Sequence, residues 1–170
     1  MTVTGPDGHR EAQLCRLMEK YERELLRTCY AILQDRQLAE DAVQETFLKA
    51  YRHLDAFRGE SSEKTWLVRI AINACNDLRR ARWFRLTDRR VTPEELPEAA
   101  CAPHDTALGD AILRLPRKQR EAVLLYYYHG LTLEQTAGAL GIRPASACTR
   151  LKRARARLKH LLEGDDPDED

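Results

Sequence analysis

Leu131-Thr-Leu-Glu-Gln-Thr-Ala-Gly-Ala-Leu-Gly-Ile-Arg-Pro-Ala-Ser-Ala-Cys-Thr-Arg-Leu151 is the stretch whose reading decides the fold. Thr132 with Gln135 has capping-box spacing and opens a short helix to Leu140. Gly141 suits a sharp turn, and Pro144 starts a second helix that ends near Gly164. Ala137 is small where the helices cross, and Ile142 is placed to plug the corner. Two helices across a tight turn at this spacing predict a helix-turn-helix, a motif whose second helix enters the major groove of DNA.

The second helix has two faces. Ala147, Leu151, Ala154, Leu158 and Leu161 form an apolar stripe, and Cys148, Thr149, Lys152, Arg153 and Arg157 lie away from it. Thr, Lys and Arg suit base edges, and the later arginines suit phosphates, with salt-dependent binding as the consequence. The bland alternative is an amphipathic hairpin with a solvated basic face. Such a surface usually mixes signs to gain side-chain pairs. From Arg143 to Lys159 there are seven Lys or Arg and no acid, which favours DNA binding.

The net charge of +1 hides this asymmetry. Residues 163 to 170 carry six acids and no base, and without them the chain stands at +7. Arg79 to Arg90 holds six Arg and one Asp. Two basic stretches point to a polyanion partner. The acidic end, residues 164–170, reads as a disordered, solubilising tail.

The periodicity upstream is helical throughout. Leu14, Leu17, Met18, Tyr21, Leu25, Cys29, Ile32 and Leu33 recur every three or four residues. Asp35 reads as the N-cap of a second helix carrying Leu38, Ala42, Val43, Thr46, Phe47, Ala50, Tyr51 and Leu54. A third is expected from Ser62 to about Arg82, with Leu67, Ile70, Ala71, Ala74 and Leu78 buried. Residues 86 to 104 contain Pro93, Pro97 and Pro103 and little periodicity, which reads as a linker between two domains. Helical signal resumes at about Asp105, with Pro116 expected at the first position of a helix running to Tyr128 and stopped by Gly130. The fold class is all-α, in two small helical domains.

Other classes find little support. The longest apolar run, Ala122 to Tyr128, has seven residues, whereas a membrane span needs about 20. The polar start lacks a signal core, so a cytoplasmic location is expected. Cys15, Cys29, Cys75, Cys101 and Cys148 show no Cys-x-x-Cys pairing and read as reduced thiols. No ligand spacing supports a metal, and no phosphate-binding Gly-rich loop supports a nucleotide. Neither a cofactor nor a catalytic residue is expected.

Two further motifs carry a family resemblance. The first is Asp41-Ala-Val-Gln-Glu-Thr-Phe-Leu-Lys-Ala-Tyr51, continued by Leu54-Asp-Ala-Phe-Arg-Gly-Glu60 and Thr65-Trp-Leu-Val-Arg-Ile-Ala-Ile-Asn73. The second is Leu115-Pro-Arg-Lys-Gln-Arg-Glu-Ala-Val-Leu-Leu125 with the helix-turn-helix. In this order they resemble regions two and four of the extracytoplasmic-function sigma factors, over residues 12 to 162. The resemblance implies region two over 9–84, a linker over 85–104 and region four over 105–163. It implies core RNA polymerase as partner, through the clamp helices of the beta-prime subunit and the beta flap, together with promoter DNA. It also admits an anti-sigma factor.

The resemblance assigns roles residue by residue. Asp41, Gln44 and Glu45 would contact polymerase. Asp41 and Glu45 are like charges at i and i+4, a mild conflict that an external basic partner would remove. The loop Arg58-Gly-Glu-Ser-Ser-Glu-Lys64 matches the family's specificity loop, which captures a base flipped out of the minus-ten element. Minus-ten contacts would come from Phe57, Arg58, Gly59, Ser61, Ser62, Lys64, Trp66, Arg69, Asn73 and Arg80. Trp66 would stack near the melting point or simply pack in the core, and Asp77 would be a neighbouring salt-bridge partner. In the resemblance, many members carry an aromatic or apolar residue where Glu63 stands, so the minus-ten preference does not carry over from the family to this chain. Minus-thirty-five contacts would come from Arg143, Ser146, Cys148, Thr149, Arg150, Lys152, Arg153 and Arg157. Cys148 often aligns with Lys or Arg in the family, and a thiol makes no charge-assisted bond, so altered selectivity and weaker binding are expected there. The rival function is a stand-alone helix-turn-helix regulator, which would bind symmetric half-sites as a dimer without polymerase.

Overall fold

The computed structural model describes residues 6–88 and 107–163, and the side chains of all of these except 6, 7 and 85–88. The chain divides into two compact units, one ending at Leu96 and the other beginning at Pro97. All regular structure among the described residues is helical.

The first unit packs three helices: α1 (Pro6–Leu33), α2 (Arg36–His53) and α3 (Glu63–Asp88). Leu17, Tyr21, Leu25, Cys29 and Ile32 of α1 meet Ala39, Ala42, Val43, Phe47 and Ala50 of α2 in one core. Alanines on α2 let its neighbours approach closely. α3 contributes Leu67, Val68, Ala71, Ile72, Ala74 and Cys75. Its buried face is therefore broader than the expected stripe: Val68, Ile72 and Cys75 join, while Ile70 and Leu78 are only half-buried. The reason is that α3 packs on both α1 and α2. The helix also continues six residues past Arg82, since nothing before Pro93 breaks it. Thus 85–88 of the expected linker are helical; residues 89–104, and the acidic end at 164–170, lie outside the described residues.

Asp35 does two jobs at the α1–α2 turn. Oδ1 accepts the Leu38 N–H at 3.0 Å and caps α2. Oδ2 accepts Arg82 Nη1 at 2.9 Å and so ties α3 to the same turn. Gln34 sits before it at φ +51°, its N–H donating to Tyr30 at 2.7 Å. After α2 a 3-10 turn (Leu54–Ala56) leads into the loop that precedes α3.

The second unit holds α4 (Ala107–Arg114), α5 (Arg117–Val123), α6 (Leu133–Leu140) and α7 (Pro144–Glu163). α7 packs against the other three. Leu115, Ala122, Val123, Leu151 and Ala154 form the core, with Ile112, Leu133, Leu140 and Leu158 packed around it. Pro116 caps α5 rather than opening it: at ψ 138° it is extended, and its carbonyl accepts the N–H groups of Gln119 (2.9 Å) and Arg120 (3.0 Å). Beyond Val123 the helix widens into a π turn, Leu124–Tyr128, closed by the His129 N–H on Leu124 O at 2.9 Å. Buried Arg120 donates to Leu113 O at 2.7 Å and closes the α4–α5 corner.

The corner between α6 and α7 follows from its residue types. Thr132 Oγ1 accepts the Gln135 N–H at 3.1 Å, and Gln135 Oε1 accepts the Thr132 N–H at 3.0 Å. At the other end Gly141 adopts φ +64°, while Ile142 N–H reaches Ala137 O at 3.0 Å and Gly141 N–H reaches Gly138 O at 3.3 Å. These are the two bonds of a Schellman ending. A Cβ on Gly141 would meet nothing within 4 Å, so only the backbone conformation opposes a side chain there. Gly141→Ala is expected to destabilise this unit by about 1 kcal/mol, read by urea denaturation; unchanged stability would refute the left-handed turn.

Candidate nucleic-acid interface

Burial of Ala147, Leu151 and Ala154 fixes the rotation of α7, and the opposite face follows. Arg143, Ser146, Thr149, Lys152 and Arg153 are exposed; Cys148, Arg150 and Arg157 are half-buried. No described carboxylate pairs with Arg143, Arg150, Lys152 or Arg153. Thr149 donates its hydroxyl hydrogen to Ala145 O at 3.0 Å, leaving its oxygen as acceptor and its methyl for an apolar contact. The result is a cationic helix face with one thiol in its first turns.

The first unit presents two surfaces. On α2, Gln44 is exposed and Asp41 and Glu45 are half-buried. Asp41 accepts Gln37 Nε2 at 3.2 Å. Glu45 lies 3.7 Å from Lys49 Nζ, which also pairs with Asp77 of α3 at 3.2 Å. The like-charge conflict between Asp41 and Glu45 is thus eased from within the chain, whether or not a partner is bound. On α3, Arg69, Asn73, Asp77 and Arg80 are exposed along one stripe. Asp77 is the shared anion of Lys49 and Arg80, the latter at 3.9 Å.

Trp66 begins that stripe. Its ring stacks on Phe57 across the loop, centroids 4.8 Å apart at 30°. It is half-buried, so it belongs partly to packing and partly to the surface. In the loop, Arg58 and Gly59 are exposed, Gly59 at φ +73°. Ser61 is half-buried, and its hydroxyl lies 3.4 Å from Ser62 O. Ser62 Oγ accepts the Thr65 N–H at 3.0 Å and sits 2.9 Å from Thr65 Oγ1, so it caps α3. Lys64 pairs with Glu24 of α1. Two of the expected DNA contacts, Ser62 and Lys64, therefore already have work inside the fold.

Sequence reasoning missed the partners of this loop on α1. Arg16 donates to Glu63 from both terminal nitrogens, Nη2 to Oε1 at 2.6 Å and Nη1 to Oε2 at 3.2 Å. The hydrogen bonds from Arg16 hold the Glu63 carboxyl below the usual carboxylate range, and the same bonds raise the guanidinium. No local pattern signals a pair 47 residues apart. Two exposed aromatics on α3, Trp83 and Phe84 at 69% and 71%, also went unmarked, although they stand in the basic Arg79–Arg90 stretch. Among the described residues no three His, Cys, Asp or Glu converge to hold a metal ion, and no helix is long and apolar enough to cross a membrane. Cys29 and Cys75 are buried, Cys15 is exposed, and Cys101 lies outside the described residues.

Residues 17–85 match the family model for sigma-70 region 2, and residues 105–158 match that for sigma-70 region 4. An ECF RNA polymerase sigma factor, SigM of Mycobacterium tuberculosis, is 33% identical over 147 residues, covering 86% of this chain and 75% of its own length. The chain belongs to the extracytoplasmic-function sigma factors of the sigma-70 superfamily. The RNA polymerase sigma-H factor of Pseudomonas aeruginosa is also 33% identical, over 163 residues, at 86% and 84% coverage. Among solved structures, the sigma factor RpoE of Bartonella quintana, in complex with the anti-sigma factor NepR, superposes with a TM-score of 0.74 at 27% identity, covering 91% of this chain and 99% of that one. CnrH in complex with the cytosolic domain of CnrY gives 0.63 at 25% identity, at 92% and 91% coverage. Membership makes this sigma factor a participant in transcription initiation and favours that role over a stand-alone regulator.

The Arg16–Glu63 pair carries a pH signature. A carboxyl held low in the folded state contributes stability above its unfolded value and loses it as pH falls through the folded value. The stability gap between this sigma factor and its Glu63→Gln variant is therefore expected to be full near neutral pH and to close as pH falls through and below the ordinary carboxylate range. Urea denaturation across that range reads it; a gap independent of pH would contradict the pairing.

Proposed function

We propose that this sigma factor seats itself on core RNA polymerase through Asp41, Gln44 and Glu45 of α2 and reads two promoter elements with its two units. Region two, over 9–84, handles the minus-ten element. Phe57, Arg58, Gly59 and Ser61 of the loop, with Ser62 and Lys64 at its exit, shape a pocket for one extruded base. Trp66, Arg69, Asn73 and Arg80 follow the non-template strand, arginines on phosphates and the indole against a base. Region four, over 105–163, handles the minus-thirty-five element. Ser146, Cys148, Thr149, Lys152 and Arg153 lie toward base edges, and Arg143, Arg150 and Arg157 toward phosphates. Capture of unstacked bases drives melting, without nucleotide hydrolysis. The linker, 85–104, joins the units and adds little sequence information.

The observation that carries this reading is the acid-free stretch from Arg143 to Lys159, in which Arg143, Arg150, Lys152 and Arg153 have no described carboxylate partner. A solvated helix would mix signs there, whereas a phosphate-facing helix gains from leaving its cations open. The second support is that region two holds a separate surface of Arg69, Asn73 and Arg80, as two-element recognition requires. Family membership supports the polymerase partner, and the anti-sigma complexes of RpoE and CnrH support an anti-sigma factor as a further one. The expected site of action is the bacterial cytoplasm, at the nucleoid when bound to polymerase.

Each unit is small and each DNA contact weak. Fixing both on one enzyme raises their effective concentration, so the pair is selective where each alone is not. Run-off transcription with purified core polymerase on a promoter library tests this directly. Expected are promoter-specific transcripts with core, and binding by the chain alone at least about tenfold weaker. Tight binding of a palindrome without core, and no transcripts with it, would overturn the proposal.

A further inference from the structure

The loop between α2 and α3 is held hard at both ends and lightly between. At its entrance the Phe57 N–H donates to Leu54 O at 3.2 Å, and the Phe57 ring lies on Trp66. At its exit Ser62 caps α3. The next two residues then reach across to α1 with opposite charges: Glu63 to Arg16, Lys64 to Glu24. Between the anchors, Arg58, Gly59 and Glu60 are exposed, and only the long Ser61–Ser62 contact engages a side chain.

The two ion pairs alternate in sign. α1 offers a cation at 16 and an anion at 24, about 12 Å further along its axis. α3 answers with an anion and a cation on adjacent residues. Exchanging these partners would set Arg16 against Lys64 and Glu24 against Glu63, two like-charge contacts. The pattern therefore opposes any rotation of the first turn of α3 that exchanges them. Arg16 adds geometry to charge, because its two nitrogens engage both carboxylate oxygens. It also neutralises an acid that would otherwise repel a nearby phosphate.

We infer that Arg16 and Glu24 of α1 are positioning residues for promoter recognition: through Glu63 and Lys64 they set the first turn of α3 and thereby the shape of the loop that receives the minus-ten base. This inference rests on the loop assignment under Proposed function and names residues outside the surface that touches DNA. It also gives Glu63 a role inside the fold, as the partner of Arg16.

The test is transcription with core polymerase from a promoter pool randomised at the minus-ten element. The readout is the ratio of output from preferred to disfavoured sequences. Arg16→Ala is expected to lower that ratio about three- to fivefold, the modest size fitting a partly exposed pair. Its competition for core polymerase and its circular dichroism spectrum are expected to match the unaltered chain. The swapped double variant, Arg16→Glu with Glu63→Arg, is expected to recover the ratio to within about twofold. Arg16→Lys, which keeps the charge and loses the fork, guards against a poorly folded Arg16→Ala and is expected to fall between. An unchanged ratio in folded Arg16→Ala, a swap that recovers nothing, or Arg16→Lys equal to the unaltered chain would each overturn the inference. Absence of minus-ten selectivity in the unaltered chain would instead remove the loop assignment, and this inference with it.

Discussion

Burial fixes how each surface helix is rotated about its axis, and everything else in this molecule depends on that. On α3, Leu67, Val68, Ala71, Ile72, Ala74 and Cys75 are taken out of water. Each large apolar side chain so buried is worth about 1.5–3 kcal/mol, whereas an exposed ion pair is worth about 1 kcal/mol or less. Packing therefore decides the rotation and the charges accept what is left. Arg69, Asn73, Asp77 and Arg80 have nowhere to go but outward. The same holds for α7, where Ala147, Leu151 and Ala154 turn Lys152 and Arg153 to solvent.

Charges then refine what packing has set. Asp35 binds Arg82 and caps α2, Lys49 links Glu45 with Asp77, and Arg16 with Glu24 holds the exit of the loop. Apart from the Asp35 cap and the Lys49–Glu45 pair within α2, these are region-two contacts between residues distant in sequence, and they join helices whose apolar faces have already met. The cations of α7 are of another kind. Between Arg143 and Lys159 the chain provides no acid to meet them, which is costly for an isolated helix and useful to one that faces phosphate.

Much of this was legible before any coordinates. Asp35, the Thr132–Gln135 box, Gly141 and Pro144 are local signals with local causes, and each stands where its chemistry requires. Helical periodicity gave the core of α1 and α2 almost whole. It failed on α3 because a helix packed on two neighbours buries more than one stripe, so Val68, Ile72 and Cys75 were overlooked and Ile70 and Leu78 overrated. Pro116 was misplaced by one residue, because a proline at a helix start can cap as well as open. The π turn at Leu124–Tyr128 left no mark in the residue pattern. Pairs such as Arg16–Glu63 and Lys64–Glu24 could not be read at all, since they exist only once α1 and α3 have packed together.

We propose that two units of one chain, seated on one polymerase, grip two DNA elements at a set separation. Spacer length is the most direct probe of that grip. B-form DNA turns once in about 10.5 base pairs, so inserting about five moves one element to the opposite face of the duplex. Transcription from a responsive promoter should collapse on that insertion while each element retains its sequence. Output that is indifferent to the spacer would mean that the two units do not act together, and would contradict the account.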